Sequence, residues 1–311
     1  MRCSVIICTR NRGASLDQTL DAFRSMVVPK GLKTEVLIVN NGSSDATDKI
    51  AAKLSSDEIP VRHIFEPEPG LARARNSGLR ESAGEIIVFT DDDVRPSGNW
   101  LEEMVRPIFH RQWDAVVGRI DLAANLSRPW MTNTHRHWLA SAGSEPAEKS
   151  ELVGASMGFH RCVLDRVPGF DIELGAGALG FGEDTLFSWQ LQEAGFRIGY
   201  APGAAVVHHP DEDRLARTNW LSAARKMGRS YAYIGYHWQH KAPSRPYIRF
   251  CRALAQYYCC RGIKHRDCAA SEGIALWELV LLERMHRLRH YIALRNCSRK
   301  YEKNGFRKCL G

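Results

Sequence analysis

The sequence predicts an α/β fold: a mostly parallel sheet with helices on both faces, followed by a basic helical C-terminal region. Three features carry this. Short, nearly unbroken apolar runs read as strands buried on both faces. Segments with apolar residues at helical spacing alternate with them. Polar clusters close the apolar runs, where ligands bind in such sheets.

The elements follow in order. CSVIICT, residues 3–9, is a buried strand. SLDQTLDAFRSM is a helix with Ser15 placed to cap it. TEVLIVNN is a second strand, leaving through the turn NGSSD, and Asp45–Leu54 is the next helix. VRHIFEP is a weaker strand. GLARARNSGLRESAG is a helix that Gly84 would close, and EIIVFTDDD is a strand ending in three carboxylates. Residues 121–150, rich in Trp and His, read as a loop or flap. LVGASMGFHRCVL reads as strand then helix, GAGALGFGED as a glycine-rich loop, TLFSWQLQEAG as a helix capped by Gly195, and FRIGYAPGAAVVHH as two short strands. The expected division is a body, 1–213, in two halves that meet at about residue 120, and a tail, 214–311.

Charge separates body from tail. Of 43 basic and 35 acidic residues, 21 and five lie from Arg214 onward, so the tail carries +16 and the body −8 of the net +8. The tail mixes arginine with Trp, Tyr, Leu and Ile, which suits either an interfacial helix on an anionic membrane or a packed subdomain with solvated cations. The acidic body argues against a nucleic-acid partner. No apolar run is long enough to span a bilayer, and no signal peptide is expected, which predicts a cytoplasmic location, peripheral to the membrane if the tail attaches. The nine cysteines form no CxxC pair, and Cys3 and Cys8 read as small buried hydrophobes.

Four constellations carry chemistry. Asp91, Asp92 and Asp93 repel one another unless a cation intervenes, and hard oxygen ligands suit Mg2+ or Mn2+. Strand alternation would set Asp91 and Asp93 on one side and Asp92 on the other. A solvated acidic turn is the plainer alternative. Glu183 and Asp184 open a helix after four glycines, so either supplies a general base or both merely favour the helix dipole. His208 and His209 end a strand, and one of them can face a metal. ICTRNR and VNNGSSD can hold a base and ribose, and neither a GxGxxG nor a P-loop motif accompanies them.

Together the stretches SVIICTRNR, VLIVNNGSSD, EPEPGLARARNSGLRESAGEIIVFTDDDV, FDIELGAGALGFGEDTLFSWQLQEAGFRIGYAP and AVVHH resemble the family 2 glycosyltransferases, in the family's order, over residues 3–210. The resemblance implies the GT-A fold and inverting, metal-dependent transfer of a sugar from a nucleotide-diphosphate donor to a hydroxyl, in glycan, polysaccharide or glycolipid synthesis such as that of the cell envelope. It implies that Thr9, Arg12, Asn41, Asp45, Arg75, Asp91 and Asp92 bind the nucleotide sugar. Asn41 would accept from a pyrimidine ring N–H, where the family commonly has Asp, which favours UDP or TDP. Asp93 and His208 would hold Mg2+ or Mn2+, with His209 in reserve. Asp184 would be the base, and Glu183 would position a glycan or lipid-linked acceptor. Residues 130–138 and 171–182 would shape acceptor choice. A sugar nucleotidyltransferase would show a stronger N-terminal triphosphate loop, and an inactive membrane-associated scaffold would not need the carboxylate and histidine set.

Overall fold

The computed structural model describes residues 1–51, 60–141, 151–268 and 270–309. It divides into two units. The first comprises Met1–Ser127, Arg136–Ile172 and Glu183–His209; the second comprises Arg128–His135, Glu173–Gly182 and Pro210–Gly311.

The first unit is a strand-and-helix alternation: β1 (Arg2–Thr9), α1 (Gly13–Arg24), β2 (Lys33–Asn40), α2 (Thr47–Ala51), β3 (Val61–Phe65), α3 (Leu71–Glu81), β4 (Ile86–Asp91), β5 (Val94–Pro96), α4 (Trp100–Phe109) and β6 (Ala115–Leu122). After the short helix α5 (Asn133–Trp138) come β7 (Ser156–His160), α6 (Glu183–Glu193) and β8 (Ile198–His208). Among the described residues the strands form one sheet in the order β3-β2-β1-β4-β7-β6-β8-β5. The block β3-β2-β1-β4 is parallel throughout, and β6 and β8 are parallel to each other. The antiparallel pairings are β4 with β7, β6 with β7, and β5 with β8.

Alternation in β1 explains how the sheet is covered. Cys3, Val5 and Ile7 join the core that includes Leu16, Leu20 and Phe23 of α1 and Trp100, Leu101 and Met104 of α4. Ile6 faces the other way, where Gly78 of α3 lies so near that a Cβ would come within 2.6 Å of it. Phe89, Phe159, Phe170 and Phe187 continue that second layer as a ring cluster. Cys3 and Cys8 are buried thiols whose pKa burial raises, that of Cys8 to about 12.

Local differences from the expected elements have physical causes. Helix α1 starts at Gly13, and the Gly13 N–H is met by the Asp45 carboxylate, so Ser15 is no cap. Helix α3 ends at Glu81 with Ser82 extended. Gly84 serves instead for close approach, since a Cβ there would sit 2.4 Å from the Ser4 nitrogen. Residues 198–208 form one strand, not two; its register with β6 jumps between Gly118 and Arg119, where the chain bulges. After β7 the chain makes a tight turn, Arg161–Asp165, in place of a full helix. The predicted helix from Asp45 to Leu54 is Thr47–Ala51, its further part lying outside the described residues.

The second unit contains α7 (Arg217–Tyr233), α8 (Pro246–Ile263) and α9 (Leu276–Leu294). Its interior is built from Trp220, Met227, Tyr233, Leu279, Leu282, Met285 and Leu288. The fully buried Glu278 is matched by Arg217 at 2.6 Å. Trp130 and His135 stack edge-on against Trp220, and the Glu173 carboxylate binds the ammonium groups of Lys300 and Lys308. These contacts draw segments 128–135 and 173–182 into the helical unit, although the sequence places both within the body.

Candidate active site

The parallel strands bring the predicted polar clusters to one edge. In register, Thr9 pairs with Asn40 and Cys8 with Asp91. Strand β4 stops at Asp91, so Asp92 and Asp93 lie in the turn to β5 and strand alternation does not govern them. Asp91 keeps 31% of its side chain exposed, against 8% and 5% for Asp92 and Asp93. Arg12 explains the inward pair: its Nε lies 3.3 Å from Asp92 and its Nη2 2.9 Å from Asp93. Thr19 adds a hydroxyl donated to the Asp92 carbonyl at 2.7 Å.

Arg75 is the second cation and is 2% exposed. Its guanidinium lies 2.8 Å from Glu183 and 3.5 Å from Asp91, near the Phe89 and Phe170 rings. It therefore ties the start of α6 to the end of β4. Glu183 is buried, while Asp184 beside it is half-buried. The Asp184 carboxylate accepts from the backbone N–H groups of Gly154, at 3.1 Å, and Thr185, at 2.8 Å.

His208 completes the set at the end of β8, buried, with Nε2 3.3 Å from Asp93. Its Nδ1 lies 2.7 Å from the Leu139 carbonyl oxygen. A carbonyl only accepts, so Nδ1 carries the hydrogen. Nε2 is left facing an Asp93 carboxylate oxygen, and a metal cation between them would bind both. A histidine whose other nitrogen donates to a backbone carbonyl is the usual form of a metal ligand. His209 contributes its backbone N–H to the Asp93 carbonyl.

The charges do not balance. Five carboxylates, Asp91, Asp92, Asp93, Glu183 and Asp184, face three guanidiniums, those of Arg12, Arg75 and Arg95. Burial, with further repulsion from neighbouring carboxylates, raises the Asp91 pKa and pushes Asp92 and Glu183 up to about 7, although Arg75 opposes the shift at Asp91 and Glu183 and Arg12 at Asp92. A divalent cation suits this excess. Among the described residues no three His, Cys, Asp or Glu side chains form a ready metal cluster. The carboxylate oxygens and the His208 ring are donors that suit a hard divalent cation.

A family model described as Glycosyl transferase family 2 matches residues 4–166. The chain belongs to this family. Among its relatives, the glycosyltransferase AglE of Haloferax volcanii is 38% identical over 119 residues, which are 38% of this chain and 39% of that one. The succinoglycan biosynthesis protein ExoM of Rhizobium meliloti is 26% identical over 222 residues, 70% of each chain. The solved mannosyltransferase PcManGT of Pyrobaculum calidifontis, in complex with GDP-Man and Mn2+, superposes with a TM-score of 0.61 at 19% identity, over 94% of this chain and 86% of that one. Residues 1–349 of S. aureus TarS, in complex with UDP, superpose with a TM-score of 0.51 at 15% identity, over 97% and 93%. These likenesses make the fold GT-A, with additional C-terminal helices. The chain spans about two fifths of the length of AglE.

Several family 2 positions differ in placement from what the sequence suggests. The Asn41 amide is engaged within the protein: Oδ1 accepts from the Gly70 N–H, and Nδ2 donates to the carbonyls of Glu66 and Glu68. It builds the turn before α3. Asp45 is exposed and caps α2 through Thr47 while holding Gly13. Thr9 is buried at the last position of β1. Arg75 is directed to carboxylates inside the protein, and Glu183 faces Arg75. In segment 130–138, Trp130 and His135 are used in packing on Trp220. Three contributors escape the sequence reading: Gly154, Thr19 and the Leu139 carbonyl. Only Gly154, in the run LVGAS, leaves a trace, as a glycine in apolar surroundings. A Cβ there would come within 1.8 Å of Arg75 Nη2.

Proposed function

We propose that this chain is an inverting, metal-dependent glycosyltransferase acting on a nucleotide-diphosphate sugar and an acceptor hydroxyl, in the synthesis of a glycan, polysaccharide or glycolipid. One observation carries the reading: Arg75 binds both Glu183 and Asp91, coupling the acidic pair at α6 to the acidic end of β4. A solvated acidic turn needs no such buried cation.

In this mechanism the outward carboxylate, Asp184, takes the acceptor proton. The acceptor oxygen forms a bond to the anomeric carbon as the bond to the diphosphate oxygen breaks, and nucleoside diphosphate leaves. Glu183 and Arg75 position Asp184 from behind. Asp91 faces the ribose, and Asp93 and His208 would hold Mg2+ or Mn2+ with phosphate oxygens. Bound there, such a cation would supply positive charge to the leaving diphosphate. Arg12 keeps Asp92 and Asp93 oriented.

The expected preference for UDP or TDP rests on Asn41 as a base reader. That amide is engaged in the turn at 66–70, where Oδ1 accepts one backbone N–H and keeps a second lone pair, so the preference is tested by comparing UDP, TDP and GDP. The test is Asp184→Asn. A positioned base contributes about 10²–10⁴ in rate, so turnover should fall within that range with donor binding unchanged. Equal losses of turnover and donor binding would make Asp184 a ligand or a structural residue and overturn its assignment.

A further inference from the structure

Helix α8 is unlike the helices on either side of it. Helices α7 and α9 bury apolar side chains along their length, whereas the 18 residues of α8 fully bury only Ala253 and Tyr257. At 3.6 residues per turn these two share one side of the helix. The opposite side carries Ile248, Cys251, Tyr258, Cys259 and Ile263, with Tyr247 at its margin under the Arg295 guanidinium, 5.4 Å from the ring centroid. Tyr247, Ile248, Tyr258 and Ile263 are 49%, 48%, 62% and 76% exposed. α8 is therefore apolar both inward and outward, and the outward side is one that water does not favour.

Charge identifies what covers it. Between Lys241 and Lys264 the chain has six Lys and Arg and no Asp or Glu. In helical projection Arg249 and Arg261 border the outward apolar side and Arg252 lies within it. All three are exposed. Tyrosines and aliphatics at the centre with arginines at the margins suit a surface with an apolar interior beneath anionic headgroups, because long cationic side chains can lie along the apolar layer with their heads at its polar edge. A second copy would set cation against cation. No described helix is long and apolar enough to cross a membrane, so contact would be from one side.

We propose that the outward face of α8 binds an anionic phospholipid surface, lying in the plane of the headgroups. The transfer chemistry is independent of this contact, and its test reads lipid binding alone. The structure narrows the binding element within the basic tail, because α7 and α9 use their apolar sides in the interior of their own unit.

The full chain is sedimented at low salt with vesicles of phosphatidylcholine alone and of equal parts phosphatidylcholine and phosphatidylglycerol. Sedimentation is expected only with the anionic vesicles, falling as salt rises. In a variant carrying Arg249→Gln, Arg252→Gln and Arg261→Gln, partition should fall on the order of a hundredfold, at about fivefold per cation. A variant carrying Tyr247→Ser, Ile248→Ser, Tyr258→Ser and Ile263→Ser should lose at least about tenfold through lost apolar burial. Both should keep the wild-type circular dichroism. Equal sedimentation with both vesicles, or none with either, would overturn the proposal. So would serine variants that bind as wild type does, which would indicate a general polyanion face. A wild-type dimer in light scattering that the serine variant dissolves would assign the face to a second copy instead.

Discussion

Arg75 is the residue on which the site turns. It is buried, and two carboxylates depend on it. Removing one partner of such a set leaves uncompensated charge, at a cost of about 3–5 kcal/mol. Arg75→Met should lose stability on that scale in urea unfolding, and a loss under about 1 kcal/mol would show that Glu183 and Asp91 do not need it. Gly154→Ala tests the same point from the other side: its Cβ would displace the guanidinium, with an expected cost of about 1–3 kcal/mol and a drop in turnover. Stability and turnover both as in the wild type would contradict the packing. At this scale the sequence shows candidate groups but not their partners. DDD and Glu183-Asp184 stand out as carboxylate clusters, yet the Arg75 bond to Glu183 joins residues 108 apart. The Leu139 carbonyl that fixes His208 has no side-chain signature at all. Asn41 shows the converse, since a polar letter after a strand reads the same whether it faces a ligand or braces a turn.

At the scale of elements, most of the sheet is legible because burial on both faces writes itself as unbroken apolar runs. Features set by contacts between distant segments are less so. The bulge in β8 depends on pairing with β6, and Gly84 is dictated by the nearness of Ser4 rather than by the helix before it. Close packing between α7 and α9 is equally hidden: a Cβ on Gly228 would lie 2.4 Å from the Glu283 carbonyl oxygen. Gly228→Val should therefore lower the thermal midpoint of the helical unit, and an unchanged midpoint would contradict that packing. The same pair of helices responds to pH. Burial first, and then Arg229, lowers His290 from the ordinary histidine range to about 4. Between that value and the unfolded value of about 6.5 the unfolded chain binds more protons, so stability contributed above that window is lost as pH falls through it. His290→Leu should lose less stability than the wild type between pH 7 and pH 4.5. An identical pH dependence would contradict the assignment.

At the scale of the molecule, the charge changes sign at Arg214, between the end of β8 at His208 and the start of α7 at Arg217. What composition does not reveal is the exchange of segments: Trp130 and Glu173 belong with the helices because of Trp220, Lys300 and Lys308. The measurement that tests the central claim most directly is calorimetric binding of UDP, TDP and GDP with and without Mn2+, to the wild type and to Asp93→Ala. At least one diphosphate should bind, only when Mn2+ is present, and Asp93→Ala should weaken it at least about tenfold, the effect expected when a hard cation loses a carboxylate ligand. Absence of binding by all three, or binding indifferent to both Mn2+ and Asp93, would contradict it.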